Sequence, residues 1–398
     1  MPRPVFSLLA TALLTTPAFA QTLPRADEVI VTASRVPVVA SETLAAVDVI
    51  ERDEIQAAAT QDVVDLLRRV PGVDIVRGGG IGQQASVFIR GTNSNHALVL
   101  IDGVRVGALG TGSYAWEHLP LAQIERIEVL RGPRAAQWGA DALGGVVQIF
   151  TRRDATAHAS VQVGNHDTYG ASAGIGQRGE RGGFGVHAGW LQTRGQNATT
   201  PGNWSFNPDR DGALLRNVTA HGDLALGSQR LEAMLLHADN DIDFDQGESN
   251  TRQDVHALAL ASHWQHRLTL GGSRDRIDTP TSFTAYHSRR QQADWQHTLS
   301  HGTRGETTLG LAWLDERGEQ VDTLGGQAVY AQSRNTRSAF AGWRGRAGAQ
   351  ALELSGRYDD NSVYGSSTSF GAAWGWDMSD VARLSASWGE GFRAPTMN

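Results

Sequence analysis

From residue 157 to residue 398, apolar and polar side chains alternate, with no helical periodicity between. Leu352, Leu354 and Tyr358 fall on one face of a strand, with Glu353, Ser355 and Arg357 on the other. Leu309, Leu311 and Trp313 stand against Thr308, Gly310 and Ala312. Ala382, Leu384, Ala386 and Trp388 stand against Arg383, Ser385 and Ser387. A period of two sends successive side chains to opposite faces of a strand and leaves no apolar stripe for a helix. About twelve such runs of ~10 residues are traceable up to Phe392. Polar loops such as 199–212 and 239–254 separate them. A water-soluble sandwich gives the same alternation. A strand of ~10 residues tilted by ~45° also crosses a bilayer, so strand length keeps a membrane barrel open as a reading.

The N-terminus favours the barrel. Arg3 precedes an apolar run over residues 5–14, and Ala18-Phe19-Ala20 is a small-x-small cleavage site. This pattern predicts a cleaved export signal with the mature chain starting at Gln21, because the run is too short to span a membrane. The chain has no Cys, which suits an exported protein without disulfides and excludes thiol catalysis and thiolate-held metal. With 46 Gly but only 12 Pro, it reads as rich in turns and strands rather than low-complexity. The 35 basic residues are all Arg, are outnumbered by 42 acidic ones and form no block, which argues against a nucleic-acid partner. No 18-residue apolar run follows the N-terminus, which excludes a helical membrane bundle but not a barrel.

Residues 39–153 have a different texture, that of a compact α/β segment. Residues 47–50 are strand-like. Thr60 is placed to cap a short helix with Asp62 in its first turn. Val63, Leu66, Leu67 and Val70 then recur at i, i+3, i+4 and i+7 before Pro71-Gly72 ends it. Strands follow at 73–76, 87–90, 97–101, 124–130 and 146–150. The glycine loop 77–82 has no Lys-Ser or Lys-Thr after it, so it is not a phosphate loop. It reads either as a tight hairpin or as a loop whose tip meets a ligand. The hexad 28–33 is extended and β-rich; it is either the first strand of the domain or a free edge for another protein. The 13 His residues are scattered, His118 and His166 read as loop or surface residues, and no catalytic motif emerges, so no enzyme is expected.

Six stretches together resemble the TonB-dependent outer-membrane receptors, most closely their cobalamin-receptor branch. They are Asp27-Glu28-Val29-Ile30-Val31-Thr32-Ala33-Ser34-Arg35, residues 65–75 with Val70-Pro71-Gly72, Phe88-Ile89-Arg90-Gly91-Thr92-Asn93, Val99-Leu100-Ile101-Asp102-Gly103-Val104-Arg105, Ile124-Glu125-Arg126-Ile127-Glu128-Val129-Leu130-Arg131-Gly132-Pro133, and residues 139–149. In the later half, 357–362 and Gly391-Phe392-Arg393-Ala394-Pro395-Thr396 match more loosely. The resemblance implies an α+β plug domain followed by antiparallel transmembrane β-barrel strands, about twelve of an expected twenty-two. It divides the chain into a signal peptide (1–20), a TonB-box arm (21–38), a plug (39–153) and a partial barrel (154–398). Asp27, Glu28, Val29, Ile30, Val31, Thr32 and Ala33 would be the TonB box, pairing by its edge with the energy-transducing TonB protein. Ligand contacts would fall on Gln84, Ser86, Asn93, Thr111, Gly112 and Gln246, with Gln84 and Thr111 replacing apolar family residues. No cofactor is required. Ca²⁺ in the extracellular loops would be held by Asn197, Asn207, Asp209, Asp211, Phe244, Asp245 and Asn250. Here Asn197 and Asn250 replace carboxylates and Phe244 replaces Tyr. The implied function is uptake of cobalamin, or of a siderophore or other metal chelate, by a receptor set in outer-membrane lipid.

Size sets a further expectation. Twelve strands would close at a backbone radius of about 12 Å, leaving a lumen of roughly 7 Å, whereas a plug of ~115 residues is roughly 17 Å in radius. Twenty-two strands give about 22 Å. The expected structure is therefore an open, curved sheet with two free edges. A third reading follows, that of a fragment or truncated, non-transporting product.

Overall fold

The computed structural model describes residues 30–32, 35, 38–58, 60, 62–119, 121–153, 155–245, 247–262, 265–379 and 381–397. The signal segment, Asp27, Glu28, Val29, Ala33 and Gln246 lie outside these. The arm contributes β1 (Ile30–Val31) and β2 (Val38–Val39), paired antiparallel. The plug contains β3 (Val47–Ile50), α1 (Arg52–Ala57), α2 (Val63–Leu67), β4 (Val73–Arg77) and β5 (Ala85–Ile89). It continues with β6 (Ala97–Ile101), β7 (Val104–Arg105), β8 (Ile124–Arg131), α3 (Ala135–Trp138) and β9 (Gly145–Thr151).

Five plug strands form one sheet in the order β3-β8-β9-β6-β7, with β6 and β9 parallel and the rest antiparallel. Its inner strands are buried on both faces, which is why residues 98–101 read as an unbroken apolar run. Val63, Leu66 and Leu67 of α2 are fully buried with Ile89, Ile101 and Ile127, so the helical spacing seen in the sequence does mark the core face. The cap differs from expectation. Asp62 accepts from the Asp65 amide at 3.0 Å, while the Thr60 hydroxyl reaches the Asp65 carboxylate at 3.1 Å instead. The helix starts two residues later than the cap chemistry of Thr60 suggested. The glycine loop closes a β4–β5 hairpin in the register Val73↔Ile89 to Arg77↔Ala85.

The second half is a single antiparallel wall. Its strands are β10 (His158–Gly164), β11 (Thr168–Gly179), β12 (Gly182–Gln196), β13 (Asp211–Leu226), β14 (Gln229–Phe244), β15 (Gly247–Ser262) and β16 (His266–Thr279). They continue with β17 (Thr284–Ser300), β18 (Glu306–Asp322), β19 (Gln327–Ala347), β20 (Gln350–Asn361), β21 (Gly365–Ser379) and β22 (Ala382–Gly389). Each pairs with its chain neighbours in one 13-stranded sheet whose edges are β10 and β22. The expected open sheet is present, with thirteen strands rather than about twelve. Strands such as β14 and β17 run 16 and 17 residues rather than ten, because they continue past the apolar belt into long hairpins.

Which face is inside settles the choice between sandwich and barrel. Thr219, Asn240, Gln253, Asp275 and Glu316 are buried at 0–4% exposure, while Leu235, Leu311 and Trp388 are 60%, 56% and 61% exposed. A soluble sandwich buries the apolar face; a membrane barrel inverts this. The plug sits against the inner, polar face, where Met234, Leu236, Ala238 and Val255 of the wall join its apolar core.

Candidate functional site

The site begins where the arm meets the plug. Immediately after β1, the Thr32 amide and hydroxyl both donate to Glu128 Oε2, at 2.8 and 2.9 Å. Glu128 lies on β8, is fully buried, and its other oxygen takes Arg126 Nε at 3.0 Å. Two hydrogen bonds to one buried carboxylate are the charge-assisted kind and stronger than neutral pairs. Three residues on, Arg35 Nη1 meets Asp294 Oδ1 of β17 at 3.1 Å, and Gln296 Nε2 donates to the Arg35 carbonyl at 3.1 Å. The Arg35 guanidinium lies 4.7 Å from the Trp138 ring centre and 4.5 Å from that of Phe340. The arm is thus fastened at one point to the plug sheet and at the next to the wall.

Thr32 and Arg35 also line a cavity of about 350 Å³ between plug and wall, with Asp102, Arg105, Asp294 and Arg357 among its other walls. Charged side chains share its lining with Trp138, Phe150 and Trp313, so it has polar partners for water and polar groups. Across it, residues 103–114 of the plug are held by the wall through their backbone. Gln292 Nε2 donates to the Gly103 carbonyl and its Oε1 accepts from the Arg105 amide, both at 3.0 Å. Ser273 Oγ donates to the Arg105 carbonyl at 2.8 Å, Arg290 donates to the Gly107 carbonyl, and the Leu109 amide donates to Ser288 Oγ at 2.9 Å. The Tyr114 hydroxyl donates to Gln253 Oε1 at 3.2 Å. Behind this strap, Glu316 accepts from Arg290 Nε at 3.0 Å and Arg334 Nε at 2.6 Å. None of these wall residues was singled out from the sequence. Their signal was the polar half of the alternation, which names a face but not its partner.

Glu117 follows the strap. The residue is half-buried with its Oε2 shielded and without a hydrogen-bond partner among the described residues, and loss of water pushes its carboxyl up to about 7.

The residues expected to meet ligand fall in two patches. Gln84 is exposed and Ser86 half-buried on the β4–β5 hairpin. Beside them the buried Gln83 donates through Nε2 to the Asp243 carbonyl at 2.6 Å, making the hairpin tip's tie to the wall. Asn93 lies past the far end of β5, exposed, and belongs to the other patch with Thr111 and Gly112. Arg393 joins that patch: it donates to the Asn95 carbonyl, pairs with Asp141 at 3.4 Å and packs across Gly112, where its guanidinium would meet any Cβ and the φ of 69° favours glycine.

The seven residues expected around Ca²⁺ are gathered only in part. Asn197 donates to the Asn207 carbonyl, Asn207 Nδ2 to Asp209 at 2.7 Å, the Ala198 amide to Asp211 at 2.6 Å and Thr199 Oγ1 to Asp245 at 2.8 Å. Asn250 sits on β15 opposite Asp241 and Asp278, away from that loop. Asp209, Asp211 and Asp245 are thus engaged by protein donors, and no ion-holding group of three His, Asp or Glu exists among the described residues.

A polar-lined transmembrane wall that holds a separate α/β domain on its inner face, with an N-terminal arm fastened to both, defines a plugged outer-membrane receptor. Residues 39–146 match the TonB-dependent receptor plug domain, and residues 153–398 match the TonB-dependent receptor-like β-barrel. The chain is 32% identical to the vitamin B12 transporter BtuB of Photobacterium profundum over 420 residues, covering 98% of this chain and 67% of that one. The siderophore receptor PirA of Acinetobacter baumannii superposes with a TM-score of 0.73 at 18% identity, over 88% of this chain and 61% of that one. The ferric enterobactin receptor PfeA of Pseudomonas aeruginosa does so with a TM-score of 0.75 at 19% identity, over 89% and 62%. The chain belongs to the TonB-dependent receptors, a family of outer-membrane receptors and transporters rather than enzymes. It spans about three-fifths of the length of these solved receptors.

Proposed function

We propose that this chain is the plug and leading barrel portion of a receptor that takes up cobalamin across the outer membrane, driven through its arm by TonB. The observation that supports the coupling is the pair of hydrogen bonds from Thr32 to Glu128. An extended arm offers its backbone edge to another chain, and edge pairing needs only an unbroken strand. Tension on that arm reaches β8, a strand hydrogen-bonded on both sides within the plug sheet. Displacing β8 opens the charged cavity beside Thr32 and Arg35, which gives a polar solute a wet route past the plug.

The cargo reading rests on the 32% identity with a vitamin B12 transporter. The siderophore receptors share the fold at 18–19% identity and carry no weight for cargo. A siderophore or other chelate is the second reading, favoured by the exposed polar Gln84 and Thr111 at positions where the family resemblance implies apolar residues. Growth of receptor-deficient cells expressing the protein separates the two. Restored growth on limiting cobalamin is expected; growth restored only by ferric chelates would replace cobalamin as the cargo.

A further inference from the structure

Three arginines stand side by side on the outside of the wall. Arg274 of β16 is directly opposite Arg289 of β17, and Arg289 is directly opposite Arg317 of β18. Their chain neighbours Asp275, Arg290 and Glu316 are buried towards the plug, so alternation turns the three outwards, where all are exposed. Arg276, two residues beyond Arg274 on the same face, adds a fourth guanidinium. Opposed positions on adjacent strands hold their Cβ atoms about 5 Å apart, and like charges so placed destabilise the sheet.

Of the nearby carboxylates among the described residues, only Asp315 pairs with the row, through Arg317. Asp254, across from Arg274, is taken by His237 at 2.7 Å. Asp278 and Glu319 face His287 at 3.7 and 2.7 Å, and Asp315 meets Arg317 at 3.2 Å. Among the described residues, no carboxylate lies within ion-pair distance of Arg274, Arg276 or Arg289. On β13 and β15 the outward arginines are treated differently: Arg216 pairs with Asp241 at 2.6 Å and Arg252 with Asp239 at 3.2 Å.

Position supplies the rest. On the same outer face the row gives way to Leu268 and Leu270 on β16, Trp295 on β17, and Leu311 and Trp313 on β18. The strap meets β17 at Ser288 and Arg290, level with the row, whereas the arm meets it at Asp294 and Gln296, level with the apolar belt. The row therefore borders the belt on the side away from the arm. A hollow of about 420 Å³ lies among Arg274, Arg276, Arg289 and Arg317.

We propose that this row binds the phosphate-bearing headgroup of an outer-leaflet lipid, whose acyl chains lie along the Leu and Trp belt below it. Guanidinium forks match phosphate oxygens two at a time, and a multiply charged phosphate removes the repulsion within the row. The inference needs the barrel to be embedded in an outer membrane and is independent of the cargo.

The test uses the full chain in detergent micelles, with purified diphosphoryl lipid A as the probe and native mass spectrometry as the readout. The triple variant Arg274→Gln/Arg289→Gln/Arg317→Gln is expected to retain lipid A about tenfold less well. The double variant Arg178→Gln/Arg230→Gln, whose arginines pair with Asp223 away from the row, is expected to match wild type. The corresponding triple Lys variant keeps the charge and guards against a folding defect; it should lose affinity about threefold, since the fork is gone. Equal retention by wild type and the triple Gln variant would overturn the proposal. So would displacement of lipid A by millimolar inorganic phosphate, which would make the row a free-anion site.

Discussion

The plug and the wall bury opposite chemistry in the same molecule. In the plug, Leu66, Leu67, Ile101 and Ile127 are sealed from water, as in any soluble domain. In the wall, Gln253, Asp275, Arg290 and Glu316 are the sealed residues, and leucines and tryptophans face out. Gln253, Ser273, Ser288, Arg290 and Gln292 of the wall each answer a backbone or side-chain partner in the plug, so the two regions complete each other. The wall's inner face is written for a specific guest, whereas the plug's core is written only for itself.

The largest expected effect removes the wall carboxylate that holds Arg290 against the plug. Glu316→Ala leaves Arg290 and Arg334 buried without their shared carboxylate, a loss of about 3–5 kcal/mol. Urea titration of the plug–wall unit, read by plug proteolysis, checks it; loss below ~1 kcal/mol would mean the wall does not depend on the pair. Leu66→Ala tests the plug's own core and should cost about 2–5 kcal/mol through the cavity it leaves. Its effect should appear in plug unfolding with the wall intact, whereas the Glu316 change should release the plug still folded. If both variants gave the same products, the two regions would not be separate units of cohesion.

A smaller effect depends on pH. Glu117 titrates at about 7 in the fold against an ordinary 4.5. Its protonated form is the one the fold favours, so the cost of ionising it is absent below 4.5, grows between 4.5 and 7, and is complete above 7. Glu117→Gln should therefore stabilise the plug by about 1–3 kcal/mol at pH 8 and leave it unchanged at pH 4. Equal gains at both pH values would show that the side chain acts through packing instead.

The same contrast explains what the sequence made legible. Alternation in residues 309–313 and 352–358 identified strands, because the period of two is local. It did not say which face was inside, since that depends on a partner distant in the chain. The helix at 63–67 was visible in its leucines, but its cap was misplaced by two residues because Thr60 and Asp62 both offer a suitable oxygen. Gln84 is the expected ligand contact of the hairpin tip, and its neighbour Gln83 makes the tie to Asp243. Only the strand direction, fixed by the fold, separates those two adjacent residues. The Thr32–Glu128 connection joins residues 96 apart, and no spacing rule announces it. Five of the seven residues expected to share calcium do come together, joined by amide and hydroxyl donors that the sequence pattern could not reveal.

The central claim is that tension on the arm is delivered to β8 through Glu128. Single-molecule pulling from the N-terminal end of the arm, with the wall held in a membrane, tests it directly. In wild type the first extension should include plug residues. In Thr32→Ala/Glu128→Gln the arm should come free first, at lower force, with an extension no longer than the arm itself. Indistinguishable traces from the two proteins would contradict the account.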